Sequence, residues 1–457
     1  MTTNTLRDQI AEALKGHNAQ YVEVRLEETD ATHLRYRGRE LEEVGRTAGL
    51  GGNVRALAGG GWGFASFNDL SKLKDRVAAA VNHARRVGGE RIVLAEAAAH
   101  VAVVPAVTPS DPRAVSLSDK KRLLDDYVGL IQGVEGVISC WVSYSDGSRK
   151  VWFANSEGAF IEQERVDTNL VLSAMARDGG DMQQATESAG SLGDYGYVAS
   201  LHKMAEELGH KAVALLKAPK VQSGEFPVVL DPVLAGVFVH EAFGHLSEAD
   251  HVYSDERMRD LMQLGRRFAG PHLNIVDGAA IPGLRGSYAY DDEGIPATHT
   301  YLIKEGVLVG RLHSRETAAA MKEPLTGNAR AISHTFPPIV RMTNTLIEPG
   351  KATLQDMVAD IKEGVYARNW YGGMTSMEMF TFSAGEAYMV RNGKIEELVR
   401  PVMLSGNLFT TLERLDMVGN DLEMNQGGGC GKDGQSPLPV SNGSPHVRIQ
   451  QCLVGGA

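Results

Sequence analysis

From residue 233 to 245 the chain reads VLAGVFVHEAFGH, apolar on nearly every side of a helix apart from His240, Glu241 and His245. A helix without a polar face belongs inside a fold, not on its surface. The neighbouring segments must therefore supply apolar surface to enclose it, and something must satisfy two imidazoles and a carboxylate. The helix start is well marked. Asp231 is a good N-cap, and Pro232 at the first helical position gives up no hydrogen bond. Just before it, Phe226 to Leu230 reads as a short buried strand.

A lone buried histidine is most simply explained by a bond to a backbone carbonyl. Three ionisable residues within six positions of one buried helix point instead to a metal. The pair His240-Glu241 with His245 is close to the H-E-x-x-H zinc signature, with one residue too many. At about 100° per residue, positions i and i+5 stand ~140° apart on a regular helix. Convergence of both histidines therefore requires a π-bulge, or a helix that ends between them. Gly244, directly before His245, is the residue that permits such a break. Glu241 is placed to act as general base towards a metal-bound water. A zinc site of this kind needs a third protein ligand and an open position. Glu248, Asp250 and His251 are the local choices. Cys430, in NQGGGCGKDGQSP, is the distant one, where four glycines in residues 427–431 let the backbone approach something closely. Cys430 does not sit in an apolar run, as Cys140 does, so it does not read as a packed core thiol.

The chain has 457 residues, which predicts two or three domains. Segment 1–110 alternates helix and strand. Leu6, Ile10 and Leu14 share a helical face; Val22, Val24 and Leu26 alternate with Glu23, Arg25 and Glu27, a strand with one wet face. Leu34 and Tyr36 continue the alternation. Asp69 caps a helix carrying Leu70, Leu73, Val77 and Val81. Residues 95–115, rich in Ala, Val and Pro, read as a linker. Segment 111–222 opens on a helix capped near Ser118. Strands follow, with hairpin turns expected at Asp146-Gly147 and Glu157-Gly158, and a helix from Ser200 to Lys217 closes it. Segment 223–457 holds the motif helix and then strand-like text, with turns at Lys304-Glu305-Gly306 and Arg391-Asn392-Gly393. The fold class is α+β: a helix-and-strand part, then a mainly antiparallel sheet domain around a buried motif helix.

The formal net charge is −11 and no long basic run occurs, which argues against nucleic acid or an anionic membrane as partner. No apolar run reaches the ~20 residues of a membrane span, and the N-terminus lacks a signal-peptide core. Three scattered cysteines make no disulfide framework and fit the cytoplasm. Asp291, Asp292 and Glu293 offer only three oxygen-bearing side chains, too few for calcium, and read as a solvated turn. The glycine-rich stretch 49–63 lacks the Lys-Ser/Thr of a phosphate loop. Lys432 reads as an exposed lysine, and Arg35, Arg37, Arg39, Arg266 and Arg267 as solvated faces.

Several stretches together resemble the TldD/PmbA metallopeptidases, on the TldD side: HEAFGHLSEAD, YDDEGIPA, LTGNARA, IVRMTNTLIEPG, FSAGEAYMVRNGKI and MVGNDLEMNQGGGCGKDGQSP. The resemblance covers most of the chain. It implies zinc on His240, His245 and Cys430, with Glu241 catalytic. It also implies an α+β fold and an assembled form, a homodimer or a heterodimer with a motif-lacking relative. The expected activity is zinc-dependent hydrolysis of unfolded or extended peptides, including ribosomally made ones. A non-catalytic regulatory protein and a zinc hydrolase of non-peptide amides are the alternatives.

Overall fold

The computed structural model describes residues 3–89, 92–376 and 378–456. Its first half is built on one long sheet, with strands β1 (Tyr21–Arg37), β2 (Glu40–Ala58), β3 (Gly61–Phe67), β4 (Val101–Val104), β5 (Val137–Asn155), β6 (Phe160–Asp178) and β7 (Asp181–Leu192). The order is β3-β2-β1-β5-β6-β4, with β7 also on β6. All neighbours are antiparallel except β4, which lies parallel to β6. The stretch expected to be a plain linker therefore contributes a strand. The sheet takes strands from both sides of residue 110.

Even-numbered residues of β1 share one face, because side chains alternate along a strand. At its start Val22 and Val24 pack with Ile10 of α1 (Thr3–Ala13) and Leu73 and Val77 of α2 (Leu73–Val87). Further along, Leu34 and Tyr36 pack with Leu124 and Tyr127 of α3 (Leu117–Gln132) and with Leu208 of helix His202–Lys217. Ser116 caps α3, two residues earlier than expected. Asp146-Gly147 is not a turn: it lies in the middle of β5, opposite Thr32 and Ala31 of β1. The strand continues because Asp146 is buried against Lys120 and Tyr144, so it has no need of solvent.

The opposite face of β1 is not wet. Glu23, Arg25 and Glu27 are 2–3% exposed. They meet the turn at Asp291, Asp292 and Glu293, which is buried rather than solvated. Asp291 accepts backbone N–H groups of Glu293, Ile295 and Ala329, at 2.9, 2.9 and 3.0 Å. Asp292 pairs with Arg25 at 3.2 Å, and Glu293 with Arg55. Alternating polarity marks a strand with two different faces. It does not say whether the polar face meets water or another layer of protein.

Strand β8 (Gly224–Leu230) opens the second half. Its sheet runs Glu363–Ser376, β8, Val447–Gly456, Val402–Asn407, Met379–Arg391, Lys394–Val399. Pairing of Glu363–Ser376 with Met379–Arg391 closes five of these strands into a ring. Most neighbours are antiparallel; β8 is parallel to Glu363–Ser376. The predicted turns fall between Thr300–Lys304 and Val307–Leu308 and between Met379–Arg391 and Lys394–Val399. The motif helix, Pro232–Val239, is buried against this sheet, with Phe238 edge-on to Phe380 and Phe382.

Candidate metal centre

Asp231 caps the motif helix, accepting the Leu234 N–H at 2.9 Å, and Pro232 occupies the first turn. The regular helix ends at Val239. His240–Gly244 form a π-turn, closed by the His245 N–H on the carbonyl of His240, and His245–Ser247 a single 3₁₀ turn. This is the break that the i, i+5 spacing requires. The reason for Gly244 differs from the expected one. Its φ of −57° and ψ of −51° are ordinary helical values. A Cβ there would stand 2.0 Å from Sδ of Met342, so glycine is needed for close packing.

The distortion brings the two imidazoles together, ring centroids 5.4 Å apart. Cys430 joins them from the other end of the chain. One ligand atom each from His240, His245 and Cys430 all lie within 4.8 Å of one another. Sγ of Cys430 is 3.4 Å from Nε2 of His245. Tetrahedral zinc with Zn–N and Zn–S bonds of about 2.1 and 2.3 Å sets such an edge at ~3.6 Å. Nδ1 of His240 is buried without a hydrogen-bond partner. A buried imidazole with an unpartnered nitrogen, grouped with a second imidazole and a thiol, fits a metal ligand set better than a closed hydrogen-bond network.

Cys430 is 2% exposed and belongs to the core, contrary to the sequence reading. It sits on strand Gly429–Lys432, paired with Gln435–Pro439. Arg341, itself fully buried, holds this hairpin through the carbonyls of Cys430 and Gln435, at 2.8 and 3.1 Å. Burial pushes the Cys430 thiol up, but the imidazoles of His240 and His245 outweigh it and bring it to about 5. Burial pushes His245 down; Glu248 and Cys430 reverse this and hold it near 11. His240 is raised by Cys430 against the same burial.

Of the other ligand choices, Glu248 stands behind the site. Nδ1 of His245 donates to it at 2.9 Å, which fixes the ring with Nε2 towards Cys430. Glu248 is fully buried, and also accepts from the Met342 N–H and from Lys432, at 3.3 and 3.2 Å. Burial raises its carboxyl, and His245 and Lys432 bring it down to about 2. Lys432 is not exposed: it bridges Glu248 and Asp250 and donates to the carbonyl of Val340. Asp250 is thus spent on Lys432, and His251 is exposed. The spacing His245-x-x-Glu248 was the available signal for the orienting carboxylate. Nothing in the sequence marks Arg341.

Glu241 is 31% exposed, with Oε2 3.9 Å from Nε2 of His245. It opens, with His240, on a cleft of about 520 Å³ between the two halves of the molecule. Trp141, Val171 and Gln184 of the first sheet form one wall; Trp370 and Tyr371 form the other. Tyr371 donates to Gln184 across it at 3.3 Å. Gly427–Gly429 and Asn442 also line it. Among the described residues, Glu241 is the one carboxylate lining this cleft, and neither Lys nor Arg lines it.

Fold and donor set define a class first: an α+β protein with a candidate nitrogen and sulfur metal centre at the foot of a cleft. The chain belongs to the PmbA/TldA metallopeptidase family, whose C-terminal domain matches residues 223–456, central domain 110–216 and domain 1 residues 22–87. "Metalloprotease slr0863" of Synechocystis sp. is 44% identical over 100% of this chain and 99% of its own. "Zinc metalloprotease TldD homolog" of Saccharolobus solfataricus is 33% identical over 69% of this chain and 71% of its own. The fold is shared with TldE from Thermococcus kodakarensis, at a TM-score of 0.76 and 16% identity over 99% of both chains. A crystal structure from Thermotoga maritima gives 0.82 at 20% identity, over 99% of this chain and 100% of that one. Among the described residues, no helix is long and apolar enough to cross a membrane.

Proposed function

We propose that this chain is a zinc-dependent peptidase that hydrolyses extended peptides, with His240, His245 and Cys430 as ligands and Glu241 as general base. The observation that carries the reading is the convergence of three ligand atoms within 4.8 Å, beside a carboxylate that opens on a cleft. The name of the Saccharolobus relative supports zinc. When bound, zinc supplies a Lewis acid that makes water deprotonate near neutral pH. Glu241, which opens on the cleft, would take a proton from the attacking water and return it to the leaving amine. Glu248 keeps the His245 ring in the ligating orientation. The mostly uncharged cleft, with its glycine backbone, suits a peptide held by its main chain, with ribosomally made peptides among the substrates.

The cytoplasm is the compartment we assign, because all three cysteines are free. The working form is an assembly, a homodimer or a pair with a motif-lacking relative. Exposed Trp370, Tyr371, Met374 and Met379, on adjacent strands beside the cleft, support an apolar contact.

Glu241→Ala tests the mechanism. The variant is expected to keep its zinc and melting temperature and to lose ~10²-fold to 10⁴-fold in kcat, with KM little changed. Normal turnover at full zinc removes Glu241 from the mechanism. Joint loss of zinc and stability assigns it a structural role.

A further inference from the structure

Asn442 lies on strand Ser441–Ser444, between Thr345 and Asn425 of the neighbouring strands. It is 5% exposed and lines the same cleft as His240 and Glu241. Its amide is idle. Oδ1 is buried without a hydrogen-bond partner, against the motif helix, where a Cβ on Gly236 would stand 3.1 Å from it. Nδ2 also has no protein partner among the described residues, yet it is not sealed off as Oδ1 is. A buried amide without partners is destabilising relative to an apolar side chain of the same shape. Most buried asparagines in this chain escape that cost. Asn328 and Asn344, in the same half, each donate twice within hydrogen-bond distance. Asn442 is left unpaired on the wall of a cleft that opens to solvent.

We propose that the Asn442 side chain binds the peptide main chain, with Nδ2 donating to a substrate carbonyl beside the scissile bond. This rests on the peptidase reading above. The surroundings decide the class of partner. The cleft offers no Lys or Arg for a carboxylate, and its acid, Glu241, is engaged as the base. What remains for an uncharged amide donor is a neutral acceptor, and every residue of an extended peptide supplies one. A main-chain contact places the peptide relative to Glu241 without reading its side chains. Gly427–Gly429 line the same cleft and present only backbone to it.

The test uses the full-length chain, with Asn442→Ala and the near-isosteric Asn442→Leu. Four quantities are measured: zinc content, melting temperature, kcat/KM on an unstructured fluorescence-quenched decapeptide, and the Kd of that peptide for the zinc-loaded protein with Glu241→Ala added to prevent turnover. Both variants are expected to keep zinc and to melt at or above the wild-type temperature, since an unpaired buried amide contributes nothing to stability. Peptide Kd should rise about 10-fold and kcat/KM should fall at least as much. A purely structural role predicts the reverse, lower melting temperature with unchanged Kd, and overturns the proposal. So does wild-type Kd and kcat/KM within about 2-fold in both variants. A wild type that neither binds nor cleaves the peptide overturns the peptidase reading instead, and the proposal with it.

Discussion

Glu248 shows what one buried carboxylate does for three neighbours. It fixes the His245 ring, pairs with Lys432 and accepts the backbone of Met342. Glu248→Gln keeps the shape and removes the charge. Loss of an outer-sphere carboxylate typically costs 10-fold to 100-fold in metal affinity. Zinc Kd by competition with a chromophoric chelator should therefore rise by about that factor, and an unchanged Kd would reassign Glu248 to folding alone. The ionisable residues of the motif were legible in the sequence because their cost inside an apolar helix is so plain. Lys432 was not. A lysine among glycines reads as solvent-exposed until the fold reveals two carboxylates waiting for it.

At the scale of elements, the irregular helix was predictable from spacing alone: two histidines five apart cannot converge on a regular helix. The need for glycine at 244 was not, since it depends on Met342, almost a hundred residues away. The helix start carries its own pH signature. Burial raises the Asp231 carboxyl to about 6, only partly offset by the N–H groups of Leu234 and Asn369. Between about pH 4 and 6 the folded chain then holds more protons at this site than the unfolded one, so its contribution to stability falls as pH rises through that window. Above it, the ionised carboxylate costs ~3 kcal/mol relative to its unfolded behaviour. Asp231→Asn keeps a capping oxygen and removes the titration. Urea unfolding at a series of pH values should show a shallower fall between about pH 4 and 6, with stability at pH 7 equal to or above wild type. A slope unchanged by the substitution would contradict this.

For the whole molecule, the α+β class was readable from periodicity, while strand β4 and the unbroken course of β5 were not. The joint between the halves was not. Glu23, Arg25 and Glu27 looked like a wet strand face and Asp291, Asp292 and Glu293 like a solvated turn; in the fold the two sets face each other. Each segment looks solvated because the pairs that join them, Arg25 with Asp292 and Arg55 with Glu293, span more than two hundred residues. The cleft also lies between the halves, so the first sheet supplies a wall of the site that the metal-ligand motif alone does not suggest. Trp370 and Tyr371 line the cleft, and exposed Met374 and Met379 lie further along the same pair of strands. Sedimentation velocity should show a dimer for the wild type, or for the chain mixed with a motif-lacking relative, and a monomer for Met374→Glu/Met379→Glu. A wild-type monomer with full peptidase activity would remove assembly from the account.

The central claim is the ligand set, and metal analysis of purified wild type and Cys430→Ser tests it most directly. The wild type should carry about one zinc per chain, as a three-ligand site with an open position implies. Cys430→Ser should lose most of it while His240 and His245 remain. Full zinc in Cys430→Ser, or no zinc in the wild type, would contradict the account.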